Sequence, residues 1–300
     1  MEITQTMRDE ARDFPTSNTS NLLFSNLVQC LEMLTPNLQT STKKSRKKTK
    51  VQTLLSKELL NQVDGHSLFP LIRLVVPFID RERPNYNLKE KALGKLFCEA
   101  AGCTLASETG KALIHFNNPK YVGSDIPAGD FPTVLEGVLA PRCFAGGTLT
   151  IGDVNELLDE LALATRAPQK TKVLQKFYAK MNSTELKWIC RIVLQDLKIG
   201  LKHEKILAYI HPDAVDMFSK CSDVRLVLAT LNNPDKRRPT ALSLMSPFET
   251  MQGTTAHGYD CTTDRMVDGF LVEWKCKYIP VKTSIFNFIQ YHHHWIKLCC

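Results

Sequence analysis

The segment that most constrains the fold of this chain is residues 182–200, NSTELKWICRIVLQDLKIG. Its apolar residues recur every three or four positions, which is the spacing of one face of an α-helix. Asn182 and Glu185 have the spacing of a capping box, in which each side chain accepts a hydrogen bond from the other residue's backbone N–H. Gly200 stands where a helix commonly ends. The segment therefore predicts a long capped helix that is central to its domain.

Two other segments combine a cap with an apolar stripe in the same way. Residues 87–102 begin with Asn87 and have Glu90 three positions later, and residues 150–165 begin with Thr150 and have Asp153 three positions later, which again is the spacing of a capping box. Pro168 predicts a break before the next helix. Strict strand alternation is hard to find across this part of the chain, so we predict an all-α, multi-helix domain. The remaining predicted helices are 21–34, 51–63, 172–181, 203–210 and 222–231.

We place the helical domain at residues 21–232, because both ends of the chain lack the helical spacing of apolar residues. Residues 1–20 are polar and are predicted to be disordered. After residue 232 the pattern fades, although FLVEW at 270–274 fits a short strand. Residues 277–300 contain no acidic residue and match neither a helix nor a strand for long.

The positive charge of the chain is concentrated in one place. The formal net charge is +7, and KKSRKKTK at 43–50 supplies six basic residues and no acid, so the remainder is close to +1. A dense run of lysines favours polyanionic partners. The loop 37–50 is therefore either a nuclear-import or DNA-tethering segment or simply a solvated loop.

Several functional classes find no support in the sequence. The ten cysteines form no CxxC pair and no zinc-finger spacing, which favours reduced thiols in a cytosolic or nuclear protein. No apolar run approaches the ~20 residues of a membrane helix, so no membrane partner is expected. The three consecutive histidines at 292–294 cannot readily face one ion, and we predict no metal site.

Three basic residues align on the predicted helix of residues 182–200. At about 100° per residue, Lys187, Arg191 and Lys198 fall within about 40° of one another, between two apolar arcs. One interpretation is a seam that faces outward and contacts DNA phosphates. The other is a solvated face, with Lys198 favoured by the helix dipole.

Five segments, in this order, resemble the DNA-binding domain of the eukaryotic ATP-dependent DNA ligases, and most closely the DNA ligase IV group. The resemblance covers about residues 60–230. The segments are RLVVPFIDRERPNYNLKE (73–90), AGDF (128–131), LTIGDVNELLDELA (149–162), ELKWICRIVLQDLKIG (185–200) and IHPDAVDMFSKCSDV (210–224).

The resemblance implies a helical domain that grips double-stranded or nicked DNA, mainly through the minor groove and the backbone. It also implies a nuclear protein that seals DNA breaks during end joining, in concert with other repair proteins, and a family chemistry that uses ATP and Mg²⁺. On this basis the expected DNA contacts are Lys187, Arg191, Lys198, Lys202, Arg81 and Arg83.

The family's nucleophile lies in a Lys-x-Asp-Gly motif, and Lys275 matches only its lysine. Glu273 supplies the acid that often precedes the motif, but Lys277 and Tyr278 stand where Asp and Gly are expected. A second lysine repels a charged amine, and tyrosine resists backbone conformations that glycine allows. We expect duplex DNA binding without self-adenylation, and no binding of ATP or Mg²⁺. Residues 233–276 are then a linker and a truncated start of an α/β nucleotidyltransferase domain, followed by an atypical tail at 277–300.

Two alternatives remain open. In the first, the domain is an interaction module that docks a repair partner in an apolar groove near its first helices and competes with full-length ligase. Alternatively, the chain is a fragment of a longer protein that retains ligase activity. The C-terminal region through which the DNA ligase IV group holds its scaffold partner is not expected within these 300 residues.

Overall fold

Helices account for most of the described residues up to 231. The computed structural model describes residues 5–34, 55, 67–143, 146–231, 287–291 and 294–298, with no side chains described at 5–7 or in the last two ranges. The helices are α1 (Gln5–Asp13), α2 (Ser17–Asn21), α3 (Phe24–Leu34), α4 (Phe69–Val75), α5 (Glu90–Ala100), α6 (Glu108–Ile114), α7 (Pro119–Val122), α8 (Phe131–Leu139), α9 (Ile151–Leu163), α10 (Ala167–Lys180), α11 (Ser183–Val193), α12 (His203–Ile210), α13 (Ala214–Cys221) and α14 (Val224–Leu231). Single 3₁₀ turns occupy Pro77–Ile79 and Ala140–Arg142. The predicted all-α domain is confirmed.

Two predicted capping boxes are present and start the helices that carry the core. At α11 the Asn182 side chain accepts from the Glu185 N–H at 2.7 Å, and Glu185 accepts from the Asn182 N–H at 3.0 Å. At α9 the Thr150 hydroxyl accepts from the Asp153 N–H at 3.1 Å, and Asp153 accepts from the Thr150 N–H at 2.9 Å. Each box satisfies two backbone N–H groups that a helix end leaves without a partner.

Two other expected helix signals act differently. Asn87 has a φ of 50° and does not cap α5, which begins at Glu90 after Lys89, a residue without a side-chain capping bond. Pro168 lies in the first turn of α10 and does not separate two helices. Proline is tolerated there because the first N–H groups of a helix have no intrahelical acceptor.

The predicted disorder of residues 1–20 also differs from the structure, since α1 and α2 lie there. The Thr19 side chain is fully buried and its hydroxyl donates to the Ser67 carbonyl at 2.7 Å. Ala11 on α1 is buried, and α1 packs against α14. These contacts join residues far apart in the chain, so a local polar composition could not reveal them.

One hydrophobic cluster runs through the helical residues, and α8 packs against α11 within it. The starts of α3 and α9 are joined by backbone hydrogen bonds from the Phe24 N–H to the Leu149 carbonyl at 2.9 Å and from the Ile151 N–H to the Leu22 carbonyl at 2.7 Å. These bonds fix both helices at their first turns. The largest fully buried side chains are Trp188, Phe24, Phe69, Phe97, Phe131 and Phe177.

The chain divides into two compact units, Met1–Thr250 and Met251–Cys300. The described residues of the second unit form an antiparallel pair of strands, β1 (Asn287–Tyr291) and β2 (His294–Leu298), in which Tyr291 pairs with His294. The predicted strand at 270–274, Lys275, the loop 37–50 and most of the predicted helix 51–63 lie outside the described residues. The boundaries at 232 and 276 and the truncated nucleotidyltransferase start remain predictions.

Candidate nucleic-acid interface

Lys187 does not face outward as the seam hypothesis predicted. It is 8% exposed, and its ammonium lies 2.5 Å from a carboxylate oxygen of Glu32 on α3 and 2.8 Å from one of Glu136 on α8. Trp188 donates its indole N–H to the same Glu32 carboxylate at 2.6 Å. Lys187 therefore joins three helices inside the domain.

Arg191 is also buried, with 7% of its surface exposed. Its Nη2 donates to Asp130 at 2.8 Å, and its guanidinium lies 5.7 Å from the centre of the Trp188 ring. Among the residues that the structure describes, no acceptor reaches the buried Nη1 of Arg191. The predicted outward orientation of the seam is thus wrong at Lys187 and Arg191, and their contact with DNA stays a prediction.

Lys198 is the member of the seam that reaches solvent. α11 ends at Val193, not at Gly200, because Gln195 and Lys198 adopt left-handed φ values of 58° and 54°. The Lys198 side chain is 53% exposed, and its ammonium lies 2.7 Å from Asp130. The predicted long helix is therefore too long, and residues 194–202 form an irregular connection to α12, called here the connecting segment.

The connecting segment alternates between anchored and exposed residues. Leu197 and Ile199 are 7% and 4% exposed, so their side chains fix the backbone to the core. Lys198, Gly200 and Lys202 are exposed, and Gly200 has a φ of 69° that glycine adopts at little cost. Buried apolar anchors thus present two lysines outward on a fixed backbone.

Asp130 connects the connecting segment to the start of α8. Its carboxylate accepts from the Thr133 N–H and hydroxyl, Arg191 and Lys198. Partial burial acts to raise the pKa of Asp130, but the hydrogen bonds from Lys198 and Thr133 and the charges of Arg191 and Lys198 outweigh it. The pKa of this carboxyl is therefore lowered.

A cleft of about 350 Å³ opens beside this carboxylate. The start of α5 contributes to its wall, and no side chain caps the first N–H groups of α5. Lys89 is exposed and forms no ion pair within the described ranges. The lining residues are Leu88, Lys89, Glu90, Asp130, Pro132, Arg191, Leu194, Asp196 and Lys198.

The two arginines of the DRERP stretch have different environments. The Arg83 side chain is 5% exposed, and it donates to Asp159 at 2.6 Å and to the Asn155 side chain at 2.9 Å. Arg81 is exposed and has no ion pair among the described residues. Arg83 thus ties its loop to α9, whereas Arg81 is free to meet a ligand, and DNA contact by either residue stays a prediction.

The Asp130 network makes the stability of the domain depend on pH. Because the folded-state pKa is lowered, the stabilisation is fully present above the ordinary pKa near 4 and is lost as pH falls through and below it. Chemical denaturation should show the wild type most stable relative to Asp130→Asn above about pH 5, with the difference shrinking toward about pH 3. A difference that stays constant over this range would contradict the network.

The described residues also bear on the membrane, metal and groove predictions. None of the described helices is long and apolar enough to cross a membrane. Within the same residues, no group of three or more His, Cys, Asp or Glu side chains is arranged to hold a metal ion. Met33 on α3 is 74% exposed, and the apolar groove near the first helices stays a prediction, since most of the second of those helices, 51–63, lies outside the described residues.

Comparison with known proteins agrees with the resemblance seen in the sequence. A family profile described as DNA ligase N terminus matches residues 23–211, which include the connecting segment, Asp130 and the cleft. The chain belongs to this family. Lys275 lies beyond the matched residues.

Curated relatives named DNA ligase 4 are similar to most of this chain. The Arabidopsis thaliana protein is 33% identical over 220 residues, covering 73% of this chain and 17% of the relative. The Homo sapiens protein is 31% identical over 213 residues, covering 70% and 23%. The Aspergillus oryzae protein is 35% identical over 190 residues, covering 62% and 19%. The chain spans about a fifth of the length of these relatives.

Proposed function

We propose that this chain binds double-stranded and nicked DNA through the backbone phosphates, at the cleft and the connecting segment. The observation that carries the proposal is the exposure of Lys198 and Lys202 on a segment anchored by buried Leu197 and Ile199. Cations on a fixed backbone lose little freedom when they meet phosphates, and phosphate contacts position a protein without reading sequence. Membership of the DNA ligase N terminus family supports DNA as the ligand.

The proposal divides the predicted DNA contacts into two groups. Lys198, Lys202 and Arg81 are exposed and are assigned to phosphates, and Lys89, which was not among the predicted contacts but is exposed at the cleft, is added to them. The other three are buried and ion-paired inside the domain, so we assign them to positioning the interface; they are Lys187, Arg191 and Arg83.

Fluorescence anisotropy with a labelled nicked duplex tests this function. We expect saturable binding, and equal affinity for duplexes of unrelated sequence, because phosphate contacts carry no base information. Discrimination between sequences by more than about tenfold would point to base contacts and would overturn the phosphate assignment.

We also propose that the chain belongs to the nuclear machinery that repairs DNA double-strand breaks by end joining, together with other repair proteins. The similarity to relatives named DNA ligase 4 supports this role. The chain itself does not self-adenylate or bind ATP and Mg²⁺, because Lys277 and Tyr278 replace the Asp-Gly that should follow Lys275.

Incubation with labelled ATP and Mg²⁺, followed by a denaturing gel, tests the adenylation step. We expect no covalent AMP, because the aspartate and the glycine of the family's motif are replaced by Lys277 and Tyr278, and tyrosine resists backbone conformations that glycine allows. A labelled adduct on the wild type that disappears in Lys275→Ala would contradict this expectation. A full-length ligase run in parallel confirms that the label and buffer support the reaction.

A further inference from the structure

An exposed pair of rings lies between α6 and α8. The centres of the His115 and Tyr121 rings are 4.9 Å apart, with an angle of 32° between their planes. Both residues are exposed, Tyr121 by 39%. No hydrogen bond within the described residues engages either side chain. This pair, called here the ring platform, therefore offers an aromatic face to solvent.

Two lysines flank the ring platform. Lys111 lies one helical turn before His115, and Lys120 precedes Tyr121. Both lysines are exposed, and neither has an ion pair in the part of the chain that the structure describes. The stretch from Lys111 to Tyr121, KALIHFNNPKY, contains no acidic residue. The surroundings of the rings are thus suited to an anion.

The backbone beneath the ring platform is held by local hydrogen bonds. The Asn118 N–H donates to the His115 carbonyl at 2.8 Å, and the Tyr121 N–H donates to the Asn118 carbonyl at 3.0 Å. The Asn118 side chain accepts from the Lys120 N–H at 3.0 Å. Phe116, between the rings in sequence, is 2% exposed and packs edge-to-face on Phe131 at 5.5 Å. The platform is therefore fixed before any ligand arrives.

The backbone of the ring platform is hydrogen-bonded to the backbone next to a cleft residue. The Gly129 N–H donates to the Phe116 carbonyl at 2.9 Å, so the residue after His115 is bonded to the residue before Asp130. Asp130 lines the cleft. The ring platform and the cleft are therefore linked through hydrogen-bonded neighbouring backbone.

We propose that the ring platform binds unpaired nucleotides of a DNA end, with a base stacked against His115 and Tyr121 and phosphates near Lys111 and Lys120. Paired bases are already stacked within a duplex, so exposed rings add little to backbone contacts, whereas an unpaired base has a free face for stacking. The location of the duplex in this arrangement rests on the function proposed above.

Anisotropy measurements on three labelled DNAs test the platform: a blunt duplex, the same duplex with a short thymidine overhang, and the single strand alone. We expect the overhang to increase affinity by about tenfold, since stacking of each base on an aromatic side chain contributes measurably. Tyr121→Ala should abolish this gain without changing the affinity for the blunt duplex. Tyr121→Phe retains the ring and should keep the gain.

The possible outcomes separate the two proposals. Equal wild-type affinity for blunt and overhanging duplexes would overturn the platform and leave duplex binding intact, as would a gain that survives in Tyr121→Ala. If the chain binds the single strand but neither duplex, and Tyr121→Ala loses that binding, the platform is supported and duplex binding is overturned. Failure to bind any of the three DNAs would overturn both.

Discussion

Replacing Lys187 by alanine is expected to lower the free energy of unfolding by about 2–4 kcal/mol. The substitution leaves two partly buried carboxylates, Glu32 and Glu136, without their shared cation, and their mutual repulsion adds to the loss. The figure is below that for a fully buried pair because both carboxylates keep some contact with water. Chemical denaturation followed by tryptophan fluorescence would measure it, since Trp188, one of the three tryptophans, shares Glu32 with Lys187.

Lys202→Ala is the matched control, because it removes the same charge from an exposed position. Its effect on stability should stay within about 0.5 kcal/mol. If Lys187→Ala unfolds at the same denaturant concentration as Lys202→Ala, Lys187 is not an internal ion-pair partner. The outward seam predicted from the sequence would then have to be reconsidered.

The double variant Lys198→Ala/Lys202→Ala is expected to lower duplex affinity by about 50-fold at about 0.1 M salt. Each lost phosphate contact reduces the slope of log affinity against log salt by about 0.9, so two contacts reduce it by about two units. The loss should be equal for duplexes of different sequence, because these lysines reach no base edge in this proposal.

Lys172→Ala/Lys180→Ala provides a control of equal net charge. Both lysines are exposed on α10, and neither lines the cleft. We expect this pair to leave the salt slope within about half a unit of the wild type. Equal losses in the two double variants would indicate a diffuse effect of total charge, and would remove the connecting segment from the interface.

Local signals in the sequence predicted the helices that carry the interface. The capping boxes at Thr150 and Asn182 depend on residues three positions apart, and both formed as expected. The spacing of apolar residues along the helices that follow these boxes likewise reflects local geometry. The all-α class could therefore be predicted from short segments alone.

The orientation of the basic seam could not be predicted in this way. The partners that bury Lys187 and Arg191 are Glu32 and Asp130, which lie on other elements and leave no trace in the period of α11. The seam hypothesis also required one continuous helix through Lys198. The helix instead ends at Val193, and Gln195 and Lys198 have left-handed φ values. Non-glycine residues seldom adopt that conformation, so helix propensity favoured the longer helix.

The interface signal that periodicity missed is the alternation in LKIGLK at 197–202. Leu197 and Ile199 are buried, whereas Lys198 and Lys202 are exposed. Alternation of this kind suggests an extended stretch with one face on a core. The helical pattern before it concealed the change of period. The N-terminal helices escaped prediction because their packing depends on distant residues such as Ser67.

Binding of the purified chain to a nicked duplex across a salt series tests the proposed phosphate contacts most directly. We predict that the logarithm of affinity falls linearly with the logarithm of salt concentration. The slope should have a magnitude of at least about two, which is the contribution expected from the phosphate contacts of Lys198 and Lys202. Affinity that stays constant between about 50 and 200 mM salt, or no binding at the lower salt concentration, would contradict DNA binding through backbone phosphates.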